Sequence, residues 1–256
     1  MLTHFYALIL GAVEGITEFL PISSTGHLIL TSKLLGLTPT DFLKSFEIVI
    51  QFGAILAVVV LYFKTLTTSL ETWKRIVVAF IPTGIIGLAL YKVVKNLLGS
   101  NAVVLWSLAI GGLLIIIFEF LHKEKPDADD NLEKISYKKS FIIGLFQSIA
   151  IIPGVSRAAA TIIGGLLLGL RRKTIVEFSF LLAVPTMAAA TGLDLVKNAN
   201  SFSSSQFSIL AVGFVASFIV AILSVKLLLR FIQKHNFTSF GVYRILIAIA
   251  FWLLVL

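Results

Sequence analysis

Six long apolar runs constrain this chain more than any other feature of it. They lie at residues 46–63, 76–91, 102–121, 175–196, 207–229 and 240–256. A helix crosses the hydrocarbon of a bilayer with about 20 apolar residues, so each run reads as a transmembrane span. The whole chain is 58% hydrophobic and 13% charged, with a mean hydropathy of +1.01. Soluble domains average roughly 45–50% and about 25%. No single soluble core among 256 residues could hide so much apolar surface. A cytosolic enzyme, a secreted domain and a disordered chain are thereby excluded. With 0 Cys there is neither a disulfide framework nor a thiolate metal site.

Two further apolar regions are interrupted. Residues 5–37 are broken by Pro21 and the cluster Ser23-Ser24-Thr25-Gly26-His27, and residues 141–170 by Pro153-Gly154 and Ser156-Arg157. Each piece is too short to cross, so each region is expected to enter and return as a re-entrant helix–turn–helix pair. Glu14 and Glu18 sit where a signal peptide needs an unbroken apolar stretch, so no cleavable signal peptide is expected. The halves match in order and by residue. Gly11 and Gly144, Glu14 and Gln147, and Gly36-Leu37 and Gly169-Leu170 are each 133 positions apart, and Pro21 and Pro153, like Ser24 and Ser156, are 132 apart. Three spans per half inverts the second copy. The expected fold is therefore an all-α polytopic membrane protein with six transmembrane helices, two re-entrant pairs and an inverted-topology repeat, whose functional site lies where the broken helices meet. It forms a single membrane domain over 1–256, with repeat 1 at 1–121, a charged linker at 122–139 and repeat 2 at 140–256.

The net charge of +8 fits membrane orientation better than nucleic-acid binding. The side holding the N-terminus receives Lys33, Lys44, Lys92, Lys95 and Lys197. The other side receives fifteen basic residues, among them Lys125, Arg171, Arg172 and Arg244, and only Arg157 stays inside. The positive-inside rule makes the richer side cytoplasmic, with both termini outside.

Glu14 and Glu18 are spaced i, i+4 and share one helix face. A charge at membrane depth costs at least ~2.5–3.5 kcal/mol, so the pair needs a polar cavity, a counter-charge or protons. Ser23, Ser24 and Thr25 follow Pro21 and open an apolar half-helix, where hydroxyls cap and free amides attract phosphate. His27 lies three residues beyond Ser24. From the second break come Ser156 and Arg157, whose guanidinium suits bidentate phosphate binding. A salt bridge from Arg157 to Glu14 or Glu18 is compatible with that role. Two ionised carboxylates and one guanidinium leave the site negative, so a phosphate ligand calls for a divalent cation, Mg2+ or Ca2+, or for one Glu to keep its proton. Glu14 and Glu18 are the expected metal ligands. Ser23, Thr25, Gly26, Ser156 and Arg157 are the expected phosphate binders. The nucleophile is Ser24, His27 or a water, with Ser24 and His27 as its base the favoured pairing.

The stretch from Glu14 to His27 resembles the signature of the undecaprenyl-diphosphate phosphatase family, the bacitracin-resistance membrane phosphatases. Pro153-Gly154-Val155-Ser156-Arg157 and Thr161 resemble its second motif. The likeness continues through Phe46-Glu47 to Gln51 and through Glu177 to Pro185, which covers essentially the whole chain. It implies hydrolysis of the terminal phosphate from a C55 polyprenyl diphosphate in the bacterial cell membrane, returning the monophosphate carrier to peptidoglycan synthesis and conferring bacitracin resistance. The family usually has Ser-Gly after the motif arginine, whereas this chain has Ala158-Ala159. The alternative class is a secondary transporter or flippase for a polyprenyl phosphate lipid, since inverted repeats with broken helices are also that class's architecture. The expected partners are the polyprenyl diphosphate and membrane lipids, with no nucleic acid, and a homodimer is left open.

Glu47 and Gln51 share a face one turn apart and are candidates to support the site. Trp73, Trp106 and Trp252 read as interface anchors or core. Asp194 reads as an outer-interface cap, Glu119 lies near a span end, and Glu177 is a candidate partner for Arg171 or Arg172. His4, His122 and His235 are assigned no chemistry.

Overall fold

The structure is a computed structural model that describes residues 2–90, 93, 97, 100–124, 128–198 and 206–255, with the backbone alone for 193–198. All its named elements are helical. In the first half these are α1 (His4–Thr17), α2 (Ser24–Leu34), α3 (Asp41–Leu61), the short α4 (Phe63–Thr68), α5 (Leu70–Ala89) and α6 (Asn101–Leu121). The second half holds α7 (Tyr137–Ser148), α8 (Arg157–Leu167), α9 (Arg172–Asn198), α10 (Phe207–Phe231) and α11 (Thr238–Val255). Six of these helices, α3, α5, α6, α9, α10 and α11, are long and apolar enough to cross a membrane, and they coincide with the six apolar runs. Their outer faces stay apolar: Leu88, Trp106, Phe120, Leu227 and Trp252 are all exposed, as lipid contact requires. The chain is an integral membrane protein.

Both breaks occur where the sequence places them. Helix α1 ends at Thr17, and the turn through Pro21 leads to α2 at Ser24. Helix α7 ends at Ser148, tightens into a 3-10 turn over Ile149–Ile151, and α8 starts at Arg157. Pro21 and Pro153 have no N–H to continue a helical ladder. Directly after Pro153, Gly154 adopts φ +87°, a conformation that L side chains resist.

Packing ties one half of the chain to the other. Helix α1 lies against α10 and α7 against α5, while α10 packs on α3 and α9 on α5. Helices α3 and α9 also meet, as do α6 and α11. The α6–α11 crossing is close because it is made of glycines: a Cβ on Gly112 would stand 2.7 Å from the Gly241 carbonyl, and one on Gly241 2.8 Å from that of Gly112. Small residues permit such approach where lipid removes any hydrophobic reason to associate. The main core gathers Phe19, Ile76, Phe178, Phe180 and Leu181 around the inner faces of α3, α5, α8, α9 and α10.

The linker folds back on the α8–α9 turn. Asp129 N–H donates to the Gly169 carbonyl at 3.1 Å and Arg171 N–H to the Asp129 carbonyl at 2.9 Å. Beside it, Glu119 is buried and accepts both terminal nitrogens of Arg172 and the Phe237 amide. Arg172 is thus paired with Glu119 and, at 3.5 Å, with Glu124, and Arg171 pairs with Asp130 at 3.3 Å, where Glu177 was the candidate partner for either arginine. Of the residues used for orientation, Lys92, Lys95, Lys125 and the side chain of Lys197 lie outside the described residues, as does the side chain of Asp194, read as an outer-interface cap. Arg244 does not belong with the interfacial cations: it is 1% exposed, inside the helix bundle.

Candidate active site

The two breaks meet. Arg157, the first residue of α8, reaches across to Glu18, the residue that ends α1, with Nη2 3.2 Å from Oε1. Its Nη1 donates to the Ser179 carbonyl of α9 at 2.9 Å, and its face lies over the Phe19 ring. The second oxygen of Glu18 accepts the Ser24 hydroxyl at 2.6 Å. Ser24, Glu18 and Arg157 therefore form one chain of charge-assisted contacts, and Glu18 and Ser24 are each 8% exposed. Ser156 caps α8 through the Ala159 amide at 3.1 Å and lies 3.4 Å from the Leu20 carbonyl of the other break. Thr161 stays on its own helix and shares a hydrogen with Ser179 at 2.6 Å, fixing the segment whose carbonyl holds Arg157.

The two half-helices begin differently. Helix α8 is capped by its own serine, whereas Ser23, at the corresponding position before α2, makes no side-chain cap bond. The first amides of α2, from Ser24, Thr25 and Gly26, are left for another acceptor. Ser23 also holds φ +73°, the one non-glycine residue with positive φ among the described residues. Such strain of order 1–3 kcal/mol persists only where surroundings enforce it. Here the His27 ring does so, with Nδ1 2.7 Å from the Ser23 carbonyl.

That contact reassigns His27. A carbonyl only accepts, so Nδ1 carries the proton, and in the neutral ring Nε2 accepts from the Tyr243 hydroxyl 2.9 Å away. The two rings also stack at 5.5 Å. The expected Ser24–His27 pairing is absent: the serine donates to Glu18, and both His27 nitrogens are engaged elsewhere. Spacing of i, i+3 brought the two residues to one turn, but the carbonyl at i−4 captured the ring.

Glu14 is fully buried, and neither of its carboxylate oxygens has a hydrogen-bond partner within the protein. Glu18, Glu47 and Arg157 are the charged groups close enough to act on it. Glu47 therefore belongs to the surroundings of the site, whereas half-buried Gln51 bonds to none of the site residues. No cluster of three His, Cys, Asp or Glu capable of holding a metal occurs among the described residues. A bare buried carboxylate beside a second one nevertheless fits a hard divalent cation of the Mg2+ type, which takes one or two carboxylates and completes its shell with water and substrate phosphate.

Sequence reasoning missed Tyr243, Arg244 and Ser179. Arg244 donates to four carbonyls, those of Leu108, Ser107, Pro21 and Gly154. Its guanidinium thus bonds a main-chain carbonyl of each break, Pro21 in the first and Gly154 in the second. The first and last of the missed residues lie inside apolar spans, and only their partners' distant positions give them meaning.

Comparison with known proteins settles the lineage. The family model described as bacitracin resistance protein BacA matches residues 7–250. The chain belongs to the BacA family. Relatives named undecaprenyl-diphosphatase are similar over nearly their whole length. That of Persephonella marina is 56% identical over 250 residues, 98% of each chain, and that of Aquifex aeolicus 55% identical over 251 residues, again 98% of each. A third, from a Sulfurihydrogenibium species, is 54% identical over 253 residues, covering 98% of this chain and 99% of its own. Both breaks and every site residue named here lie within the BacA match.

Proposed function

We propose that this chain is an integral-membrane hydrolase that cleaves undecaprenyl diphosphate to undecaprenyl phosphate and inorganic phosphate, recycling the carrier lipid for peptidoglycan synthesis. The observation that carries the reading is the Ser24–Glu18–Arg157 constellation at the junction of the two breaks, in a chain of the BacA family with relatives named for this activity. Arg157 and the free amides of Ser24, Thr25 and Gly26 bind the oxygens of the diphosphate and stabilise charge as it develops. Arg157 then turns from Glu18 to the substrate. The Ser24 oxygen attacks the terminal phosphorus, its proton passes to Glu18, and the bond to the bridging oxygen breaks, releasing the lipid monophosphate. Glu18 passes that proton to the departing monophosphate; water then attacks the phosphoserine, giving a proton to Glu18, which returns it to the Ser24 oxygen as inorganic phosphate is released. His27 acts as a positioning residue that holds Ser23, and through it the α2 amides, in their strained orientation.

A divalent cation, Mg2+ or Ca2+, held by Glu14 and Glu18 would neutralise the diphosphate and polarise its phosphorus–oxygen bonds. The matched helix pairings, α1 with α10 and α7 with α5, support the inverted repeat and the re-entrant reading of both breaks. The five lysines of the linker and the basic ends of α9 and α10 support a cytoplasmic linker, with both termini outside the bacterial inner membrane. A homodimer adds nothing the chemistry needs, since one chain supplies every site residue. The transporter alternative has no observation of its own in its favour.

The test is phosphate release from a C55 diphosphate in detergent by wild type, Glu18→Gln and Arg157→Ala, with and without EDTA. Release by wild type that is lost in both variants supports the hydrolase. No release from well-folded wild type discards it.

A further inference from the structure

Among the described residues Arg244 is the largest fully buried side chain, and none of their carboxylates pairs with it. Its four acceptors are all main-chain carbonyls. Nε donates to Leu108 at 3.3 Å and Nη2 to Ser107 at 2.8 Å, both on α6, while Nη1 reaches Pro21 at 3.4 Å and Nη2 also reaches Gly154 at 3.1 Å. Four of the five donors of a guanidinium are thus used, and the acceptors come from three separate segments. Two of those segments are the breaks. Room for the group exists because residue 111 is glycine, since any Cβ there would collide with the Arg244 guanidinium.

The acceptors cancel no charge. An arginine retained in that state inside a membrane protein marks a functional requirement by default, and a packing role alone would be met by an apolar side chain. The geometry shows what the requirement is. Pro21 lies three residues from Glu18, and Gly154 three from Arg157, so the two carbonyls held by Arg244 flank the two residues whose side chains must meet. The preceding residue, Tyr243, holds His27. Consecutive positions of α11 thus fix both breaks and the ring that orients α2.

We propose that Arg244 is a positioning residue of the phosphatase site, tying the first break to the second through the Pro21 and Gly154 carbonyls so that Glu18, Ser24 and Arg157 share one register. The proposal deepens the hydrolase reading and rests on it. Arg244 touches no substrate. Its loss therefore lowers kcat and leaves KM near the wild-type value, whereas loss of a phosphate-binding group raises KM. A misplacement of ~1 Å can cost about 100-fold, and a fall of that order in kcat is expected for Arg244→Met. Arg244→Lys keeps the charge but has no fork to span two breaks, so it is expected to stay near the level of Arg244→Met.

The chain has 0 Cys, which allows a readout that needs no turnover. A single nitroxide at Ile152→Cys, 39% exposed in the second break, reports the mobility of that segment by electron paramagnetic resonance, with Leu113→Cys on α6, 51% exposed, as the control. In Arg244→Met the Ile152 label becomes mobile and the Leu113 label does not change. Either an immobile Ile152 label in a folded Arg244→Met protein or a kcat at the wild-type level overturns the proposal. So does recovery of kcat in Arg244→Lys, which would leave charge alone as the role. If wild type releases no phosphate, the hydrolase reading fails, and the spectra still decide whether Arg244 holds the breaks.

Discussion

Replacing Glu18 by glutamine removes one charge from the centre of the site and changes its shape very little. In the native protein one carboxylate oxygen accepts the Ser24 hydroxyl at 2.6 Å and the other faces Arg157 at 3.2 Å. The amide can present only one oxygen. If that oxygen faces Arg157, its NH2 faces the Ser24 oxygen, and the serine loses the acceptor for its proton. In the reverse orientation two donors confront each other. A positioned general base contributes about 10²–10⁴ in rate, which at 1.36 kcal/mol per tenfold is ~2.7–5.4 kcal/mol of barrier. The expected kcat of Glu18→Gln is therefore about 10²–10⁴ below wild type, read as phosphate release from C55 diphosphate at saturating substrate. Folding is affected less, because volume and one hydrogen bond are kept, so the detergent-solubilised variant should remain monodisperse. Ser24→Ala should lose activity to a similar extent. Residues that act as one unit are not additive, so the double variant should be no slower than the slower single one. A folded Glu18→Gln enzyme that loses less than about tenfold, or a double variant slowed by the product of both losses, would refute the pairing of Ser24 with Glu18.

Chelation by EDTA should stop phosphate release and added Mg2+ or Ca2+ should restore it, with Glu14→Gln raising the cation concentration needed by at least about tenfold; release that ignores chelation removes the metal. Glu119→Gln breaks a buried pair with Arg172, which should cost ~3–5 kcal/mol of stability and lower the melting midpoint in detergent without altering kcat per folded molecule. An unchanged midpoint would show that the pair carries no stability. Gly154→Ala forces a side chain onto a backbone at φ +87° with its Cβ 2.7 Å from the Val104 carbonyl, so stability should fall by ~1–3 kcal/mol together with kcat. A midpoint equal to wild type would count against a locked break. Lys134→Cys in the linker should react with an impermeant thiol reagent from the cytoplasmic side alone, and labelling from the outer side would invert the orientation.

The spans were legible because lipid imposes a length on them, and six runs of that length leave little choice. The breaks were legible for a related reason: proline and clustered hydroxyls in an apolar region cannot be continued helix. The i, i+4 spacing of Glu14 and Glu18 placed two acids on one face, and the buried Arg157 found its partner in Glu18. Contacts between distant positions were not legible. Tyr243 and His27 are 216 positions apart, and nothing in the local pattern of α11 separates Tyr243 from an interfacial aromatic residue. Arg244 read as an interfacial cation because it sits near the start of a span, where hydropathy expects one. Its burial depends on the glycines of α6, whose role appears only when the helices cross. Ser23 gave no warning of its positive φ, since that conformation is enforced from outside by the His27 ring.

The site has a consequence for how the chain must assemble. Neither half contains it: Glu18, Ser24 and His27 come from the first, and Arg157, Ser179, Tyr243 and Arg244 from the second. The pairings α1 with α10 and α5 with α7 likewise cross between halves, so each half leaves its own first helix without its main neighbour until the other is present. Buried charge makes this order matter. Before α8 arrives, Glu18 has no guanidinium, and before α11 arrives the Pro21 and Gly154 carbonyls have no shared donor. An unpaired charge or carbonyl in hydrocarbon is expensive, so the polar site opposes separation of the halves while the apolar faces are indifferent to it. In water a hydrophobic core gathers a fold and its active site is fitted into it. Here lipid solvates the apolar surface equally well, and the polar contacts of the candidate site also hold the two halves together.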